Sequence, residues 1–94
     1  MKVIWSRRAV QHLVELREHI AEDSEPAASR VPQRILDAVE LLRSQPEIGR
    51  PGRVVGTREL VIPHTPYILP YRVRQGHLEL IAVFHGRQKW PRKL

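Results

Sequence analysis

Apolar side chains recur every three or four residues near the start of the chain, at Ala9, Leu13, Leu16 and Ile20. This spacing places them on one face of an α-helix. Ser6 precedes the pattern, and its hydroxyl can accept a hydrogen bond from a free amide of the first turn. The pattern therefore predicts a helix over residues 7–22 that begins at a serine cap.

A second helical pattern follows a short break, with apolar positions at Ala28, Val31, Ile35, Val39 and Leu42. Ser24 can cap this helix, and Pro26 fits its first turn because a proline there gives up no hydrogen bond. The second helix is predicted over residues 25–44, antiparallel to the first. Pro32 should cause a kink or a helix start near residue 31, because it cannot donate to the carbonyl of Ala28.

The second half of the chain changes to the period of two that is typical of strands. Three strand-like runs follow a loop rich in proline and glycine over residues 45–56, and a fourth run lies near the start; they are Thr57–Ile62, Tyr67–Arg74, His77–His85 and Lys2–Trp5. Gln75 and Gly76 predict a tight hairpin turn. Pro70 predicts an outward-facing position or a bulge, because it cannot donate within a sheet.

These elements predict an α+β domain of order β-α-α-β-β-β that spans residues 1–94. An antiparallel helix hairpin should pack on one face of a mainly antiparallel, twisted, four-stranded sheet. Trp5 and Tyr71 are expected in the core between the two layers.

Composition excludes several classes of function. The chain has no cysteine, which excludes disulfides, thiolate zinc sites and a cysteine nucleophile. The spacing of its five histidines is not that of metal ligands, so neither a metal nor a cofactor is expected. There is no apolar run of the roughly 18 residues that a membrane span needs, and no signal peptide is apparent. We therefore expect a cytoplasmic protein without a membrane partner.

Charge is unevenly distributed along the chain. Residues 6–45 carry six basic and seven acidic side chains, a net charge of −1. Residues 46–94 carry nine basic and three acidic side chains, a net charge of +6. The second half is therefore expected to contact an anionic partner. The alternative is that its positive charge serves only to keep the protein soluble.

Four segments, taken in order with the β-α-α-β-β-β pattern, resemble the RelE/ParE toxin superfamily of type II toxin–antitoxin modules: Pro46–Pro51, Gly56–Leu60, Pro66–Val73 and Val83–Arg87. The resemblance covers essentially the whole chain. RelE-like members are ribosome-dependent endonucleases of messenger RNA. ParE-like members inhibit DNA gyrase by trapping its complex with DNA, and a ParD-type antitoxin neutralises them.

Departures from the ribonuclease pattern favour the ParE-like branch. Ile68 occupies the position where ribonuclease members usually have an arginine, and Glu59 and Val61 fall near their basic residues. Gly86 follows His85 where some ribonucleases have a tyrosine. Cleavage of a phosphodiester needs a base or a phosphate-binding cation within hydrogen-bond reach. The resemblance therefore implies a ParE-like gyrase inhibitor, not itself an enzyme, as the first function and a ribosome-dependent ribonuclease as the alternative.

The residues predicted to bind the target are mostly in the basic C-terminal tail: Arg58, His85, Arg87, Lys89, Trp90, Arg92 and Lys93. In a ribonuclease, the candidate catalytic residues would be Arg58, Arg72, His85 and Arg87. Each has a structural alternative. Arg58 could pair with Glu59 or Glu79, His85 could be a hydrogen-bonded structural residue, and Trp90 could fold back onto the helices.

A ParD-like antitoxin, forming a hetero-oligomer, is the expected partner. Members of this class commonly contribute an extended segment that folds on the toxin. The sheet edge and an apolar rim on the helices are expected to receive it, the rim being Val10, Val14, Leu36 and Val39. The alternative is that these side chains belong to the core of the toxin itself. A third possibility for the whole chain is an inactive toxin fold that only binds an antitoxin.

Overall fold

The computed structural model describes residues 1–94 and contains two helices and six strands. The helices are α1 (Arg7–Ala21) and α2 (Glu25–Ser44), and the strands are β1 (Lys2–Trp5), β2 (Arg50–Pro51), β3 (Arg58–Val61), β4 (Tyr67–Arg74), β5 (His77–Leu80) and β6 (Phe84–His85). The predicted α+β class and the helix hairpin are confirmed. The predicted number of four strands was wrong, because β2 was not anticipated and the last strand is divided into β5 and β6.

Both helices begin at the predicted serine caps. The hydroxyl of Ser6 accepts from the amide of Ala9 at 2.9 Å, and that of Ser24 accepts from the amide of Ala27 at 3.2 Å. Neither helix combines the length and the apolar character needed to cross a membrane. Helix α2 continues through Pro32 to Ser44, so the predicted helix start near residue 31 was wrong.

The sheet has the order β1-β5-β4-β3-β2, and β6 pairs with the first residues of β4. Strand β1 is parallel to β5, and all other pairs are antiparallel. The turn between β4 and β5 has positive φ at Gln75 (54°) and Gly76 (73°), as the tight hairpin requires. Strand β2 contributes only Arg50 and Pro51, so the outer edge of β3 has no strand partner at Leu60 and Val61.

Pro70 explains why the last strand is divided. Its carbonyl accepts from the amide of Ile81 at 3.0 Å, while residues 81–83 leave the regular ladder before β6 resumes at Phe84. A strand residue directs its nitrogen and its carbonyl to the same side, so the missing donor of Pro70 faces this bulge. Of the two predictions for Pro70, the bulge is confirmed. The register also places Pro70 beside Glu59, on the sheet face that points away from the helices, although its ring is fully buried there.

The core lies between the helices and one face of the sheet, so the two faces of the sheet differ in their side chains. The inner face packs on the helices and includes Leu69, Tyr71 and Leu80, which cluster with Ile35 and Leu42 of α2. Tyr71 is fully buried, as predicted, and Trp5 packs partly buried against the same cluster. The outer face is the opposite one. It carries a charged group at one end, formed by Arg50, Glu59, Arg72, Arg74 and Glu79, and an apolar group at the other, formed by Ile68, Pro70 and Phe84.

Candidate functional site

The loop before β2 is fastened to the inner face of the sheet by Tyr71. Its hydroxyl donates to the carbonyl of Pro46 at 2.7 Å and accepts from the amide of Gly49 at 2.9 Å. A Cβ atom at position 49 would lie 2.5 Å from this hydroxyl, so only glycine allows the approach. Burial raises the pKa of the Tyr71 phenol and keeps it protonated. The Tyr71 side chain therefore has a structural role in holding this loop.

Arg58 also holds this loop, which differs from both of its predicted roles. Its guanidinium donates to the carbonyl of Gly49 at 2.8 Å and to that of Glu47 at 3.2 Å. The predicted ion pairs with Glu59 and Glu79 were wrong, because other arginines bind those carboxylates. Target binding by Arg58 would require these loop contacts to be shared or broken.

Glu59 is a buried carboxylate that sequence reasoning missed. Its side chain is 3% exposed and is bound by Arg50 at 3.1 Å and Arg53 at 3.5 Å, and the amide of Arg53 donates to it at 2.8 Å. A buried carboxylate needs such partners because desolvation is costly. The sequence contained one signal for this site: an acidic residue inside a predicted strand, nine residues after Arg50 and six after Arg53. Glu59 fixes the loop that carries Arg53.

A second carboxylate on the outer face is also shared between two arginines. Glu79 of β5 accepts from Arg72 at 2.6 Å and from Arg74 at 3.3 Å. The hydrogen bond from Arg72 holds the pKa of the Glu79 carboxyl below its ordinary value. Together with Arg8, these side chains border a pocket of about 430 Å³ on the outer face, which Leu94 also lines.

His85 lies at the other end of the sheet, and its ring is held by the main chain. Its Nδ1 atom accepts from the amide of Arg87 at 3.0 Å, so the neutral ring carries its proton on Nε2. The ring meets Tyr67 edge-on, with the centroids 5.6 Å apart. The nitrogen that could accept a proton is therefore already occupied, which does not favour a general base.

His12 of α1 has the same arrangement. Its Nδ1 atom accepts from the amide of Val83 at 3.1 Å, and its ring lies 5.2 Å from that of Phe84. Burial lowers the pKa of the His12 imidazole, so the neutral ring is favoured. His12 and His85 border one groove of about 380 Å³, with Glu15, Tyr67 and Gln88.

The four residues predicted for a ribonuclease site do not share a pocket. Arg58 and Arg72 border one small pocket near Pro46, whereas His85 borders the groove beside α1. Arg87 is exposed in the tail. The structure thus places potential phosphate ligands and the histidine at separate sites.

The C-terminal tail folds back, but onto the sheet and not onto the helices. The Trp90 ring packs against Phe84 at 4.6 Å between centroids, and the guanidinium carbon of Arg53 lies 3.6 Å from the Trp90 ring centroid. The indole nitrogen is buried without a hydrogen-bond partner. The remaining predicted target-binding residues of the tail, Arg87, Lys89, Arg92 and Lys93, are exposed.

The apolar rim on the helices is smaller than predicted. Val10 and Val14 of α1 and Leu36 of α2 are 48%, 50% and 42% exposed. Val39 is 4% exposed and belongs to the core, so its place in this surface was wrong. A groove of about 290 Å³ lies between α2 and the open edge of β3, bordered by Leu41 and Val61. The rim and this groove are exposed apolar surfaces of the protein.

The fold is that of a small α+β protein in which two helices pack on one face of a sheet. Residues 3–90 match the model of the ParE toxin of the type II toxin–antitoxin system parDE. The chain is 43% identical over 93 residues to the toxin candidate Y4kP of Sinorhizobium fredii, covering 99% of this chain and 96% of that protein. It is 31% identical over 85 residues to Toxin RelE2 of Caulobacter vibrioides, covering 90% and 94%.

A solved structure of the chromosomal ParDE toxin–antitoxin system from P. aeruginosa has the same fold, with a TM-score of 0.83 and 26% identity. The match covers 90% of this chain and 95% of that one. The chain belongs to the ParE toxin family of type II toxin–antitoxin systems. The resemblance found in the sequence is thereby confirmed at the level of the family.

Proposed function

We propose that this toxin inhibits DNA gyrase and that a ParD-like antitoxin neutralises it. The observation that carries the proposal is that His85 is held by the main chain and lies apart from the arginines that could bind a phosphate. Its Nδ1 atom is bound by a main-chain amide, and it borders a different groove from Arg58 and Arg72. A protein without an assembled acid–base site is better suited to act by binding than by cleavage. This action places the protein in the cytoplasm, with gyrase and the chromosome.

The target-binding surface on this proposal is the basic tail together with the loop that carries Arg53. The exposed cations of the tail give charge-assisted contacts, and Trp90 fixes the path of the tail across the sheet. The experiment is a supercoiling assay with purified gyrase and relaxed plasmid. Inhibition at micromolar protein supports the proposal. Full supercoiling, with translation arrested instead, rejects it.

The antitoxin is proposed to bind the exposed apolar rim formed by Val10, Val14 and Leu36, and the open edge of β3 at Val61. An amphipathic helix fits the rim, and an extended segment can pair with the strand edge. The similarity to the ParDE system of P. aeruginosa supports a partner of this kind. An acidic segment would also be attracted by the basic half of the chain.

A ribosome-dependent ribonuclease is the second candidate, and two observations favour it. Toxin RelE2 of Caulobacter vibrioides is 31% identical to this chain, and Arg58 and Arg72 border a single pocket. Primer extension on messenger RNA after induction tests this candidate. Intact transcripts in arrested cells exclude it. Normal growth after expression without antitoxin would instead identify an inactive fold that only binds its partner.

A further inference from the structure

We infer that the outer face of the sheet, together with the C-terminal tail, binds the phosphate backbone of duplex DNA. The inference rests on the proposed function and deepens it, because it names the DNA of the gyrase complex as a direct contact of the toxin. It is motivated by how the fold sorts charge between its two layers.

Most acidic side chains lie in the helix layer, whereas the sheet and the tail carry few. Seven of the ten acidic side chains lie on α1, α2 or the turn between them, namely Glu15, Glu18, Glu22, Asp23, Glu25, Asp37 and Glu40. The outer face of the sheet carries two acidic residues on its strands, Glu59 and Glu79. The two helices also carry six arginines, so the helix layer is close to neutral, and the excess of positive charge lies on the sheet and the tail.

Neither carboxylate of the outer face is available to repel an anion. Glu59 is shared by Arg50 and Arg53, and Glu79 is shared by Arg72 and Arg74. Two guanidinium groups surround one carboxylate in each cluster, so each cluster keeps a net positive charge. The arginine side chains remain between 40% and 56% exposed and can still donate to a ligand.

The tail adds further exposed cations beside this basic surface. Trp90 packs on Phe84, whose strand partner is Ile68, and Arg53 covers the indole. Leu94 then lines the pocket that Arg72, Arg74 and Arg8 border. The tail thus runs from one end of the outer face towards the other, and its four cations Arg87, Lys89, Arg92 and Lys93 are exposed along this path.

The aromatic side chains favour duplex DNA over a single strand. Proteins that bind single strands stack bases on accessible aromatic rings. In this protein Tyr67, Tyr71 and Phe84 are buried, and the Trp90 ring is covered by Phe84 and Arg53. The helices, which could read a groove, lie on the inner face. With neither base stacking nor a helix for groove reading on this face, its arginines and lysines can contact the DNA phosphates. Binding should therefore not depend on the DNA sequence.

Fluorescence anisotropy of a short labelled duplex of mixed sequence, without gyrase, tests the inference. We expect binding that weakens steeply between about 50 and 200 mM salt. The test variant is Lys89→Gln/Arg92→Gln/Lys93→Gln. It should bind at least about tenfold more weakly at low salt, with a salt slope that is shallower by about 2 to 3. All three side chains are exposed, and circular dichroism confirms that the variant remains folded.

The matched control is Arg7→Gln/Arg17→Gln/Arg30→Gln, which removes the same charge from exposed positions on the helices. It should keep affinity within about twofold and retain the salt slope. Equal losses in both variants would show that net charge alone drives binding, and this would overturn the inference. Tighter binding of single-stranded RNA or of an acidic peptide than of duplex DNA would overturn it as well.

The outcome is separable from that of the proposed function. If the protein inhibits supercoiling but does not bind the duplex, the inference fails and gyrase inhibition stands. If it binds the duplex through the tail but leaves gyrase active, the DNA surface stands and the gyrase proposal fails.

Discussion

The hydroxyl of Tyr71 accepts a hydrogen bond from the amide of Gly49 at 2.9 Å, and a Cβ atom at position 49 would lie 2.5 Å from it. The loop before β2 therefore touches the central strand of the sheet through a tyrosine in the core. This contact and the two bonds from Arg58 set the start of β2, which is the edge strand that holds Arg50 against Glu59.

Tyr71→Phe is expected to lower the free energy of unfolding by about 1–3 kcal/mol, because the Gly49 amide and the Pro46 carbonyl both lose their partner in a buried setting. Urea denaturation followed by circular dichroism measures it. Tyr67→Phe is the matched control, since no hydrogen bond joins that hydroxyl to the rest of the protein, and a change below about 0.5 kcal/mol is expected. Equal losses would contradict a special role for the Gly49 contact.

His12 should make stability depend on pH. Burial lowers the folded-state pKa of His12 below 6.5, so the unfolded chain takes up the proton first as the pH falls. The contribution of His12 to stability is then fully present above the pKa of the unfolded chain, and it is lost as the pH falls from that value through the lower pKa of the folded protein. Its charged neighbours are Glu15, which raises the pKa, and Arg8, which lowers it.

Denaturation at about pH 7.5 and about pH 5.5 tests this dependence above the range in which carboxylates titrate. The difference in unfolding free energy between the two values should shrink in His12→Asn, whose amide oxygen takes the place of Nδ1 and can still accept from Val83. His19→Asn is the control, because His19 is 76% exposed in its pair with Glu22. An unchanged difference in His12→Asn would refute the assignment.

Arg53 is expected to hold Trp90 against the sheet. In a Trp5→Phe background, Arg53→Ala should shift the emission of Trp90 to longer wavelength and increase its quenching by acrylamide, because the cation over the ring is lost. Arg50→Ala is the matched control. Arg50 binds the same carboxylate of Glu59 but is not the cation over the indole. Identical spectra for the two variants would argue against the stacking contact.

Val14→Asp is expected to weaken antitoxin binding by more than about tenfold, because it places a charge in the proposed apolar rim. Titration calorimetry with the cognate antitoxin measures the change. Val55→Asp is the control, since Val55 is 100% exposed in the loop before β3. Both variants should remain folded. If Val55→Asp weakens binding and Val14→Asp does not, the antitoxin binds elsewhere.

Much of the fold follows from local patterns in the sequence. Helix α2 has the predicted limits, α1 ends one residue early at Ala21, and both serine caps are where the pattern placed them. The spacing of the apolar positions, four in α1 and five in α2, is sufficient to orient each helix. Strand β2 could not be predicted, because two residues that include Pro51 have no strand pattern and pair only through the tertiary structure.

The candidate site was less predictable because its contacts join distant parts of the chain. The sequence identified the exposed cations of the tail, which need no partner to be recognised. It did not reveal that Arg58 binds the carbonyl of Gly49 or that His12 binds the amide of Val83. It also treated Val39 as a surface residue, since a valine on the helix pattern can lie in the core or at its rim.

The central claim is that the toxin acts on gyrase by binding, with its tail as a contact. The most direct measurement is supercoiling of relaxed plasmid by purified gyrase, with linear plasmid quantified after detergent and protease treatment to detect a trapped complex. We predict inhibition and accumulated linear DNA with the wild type, and loss of both in Lys89→Gln/Arg92→Gln/Lys93→Gln. Full supercoiling by gyrase in the presence of folded wild-type toxin would contradict the account.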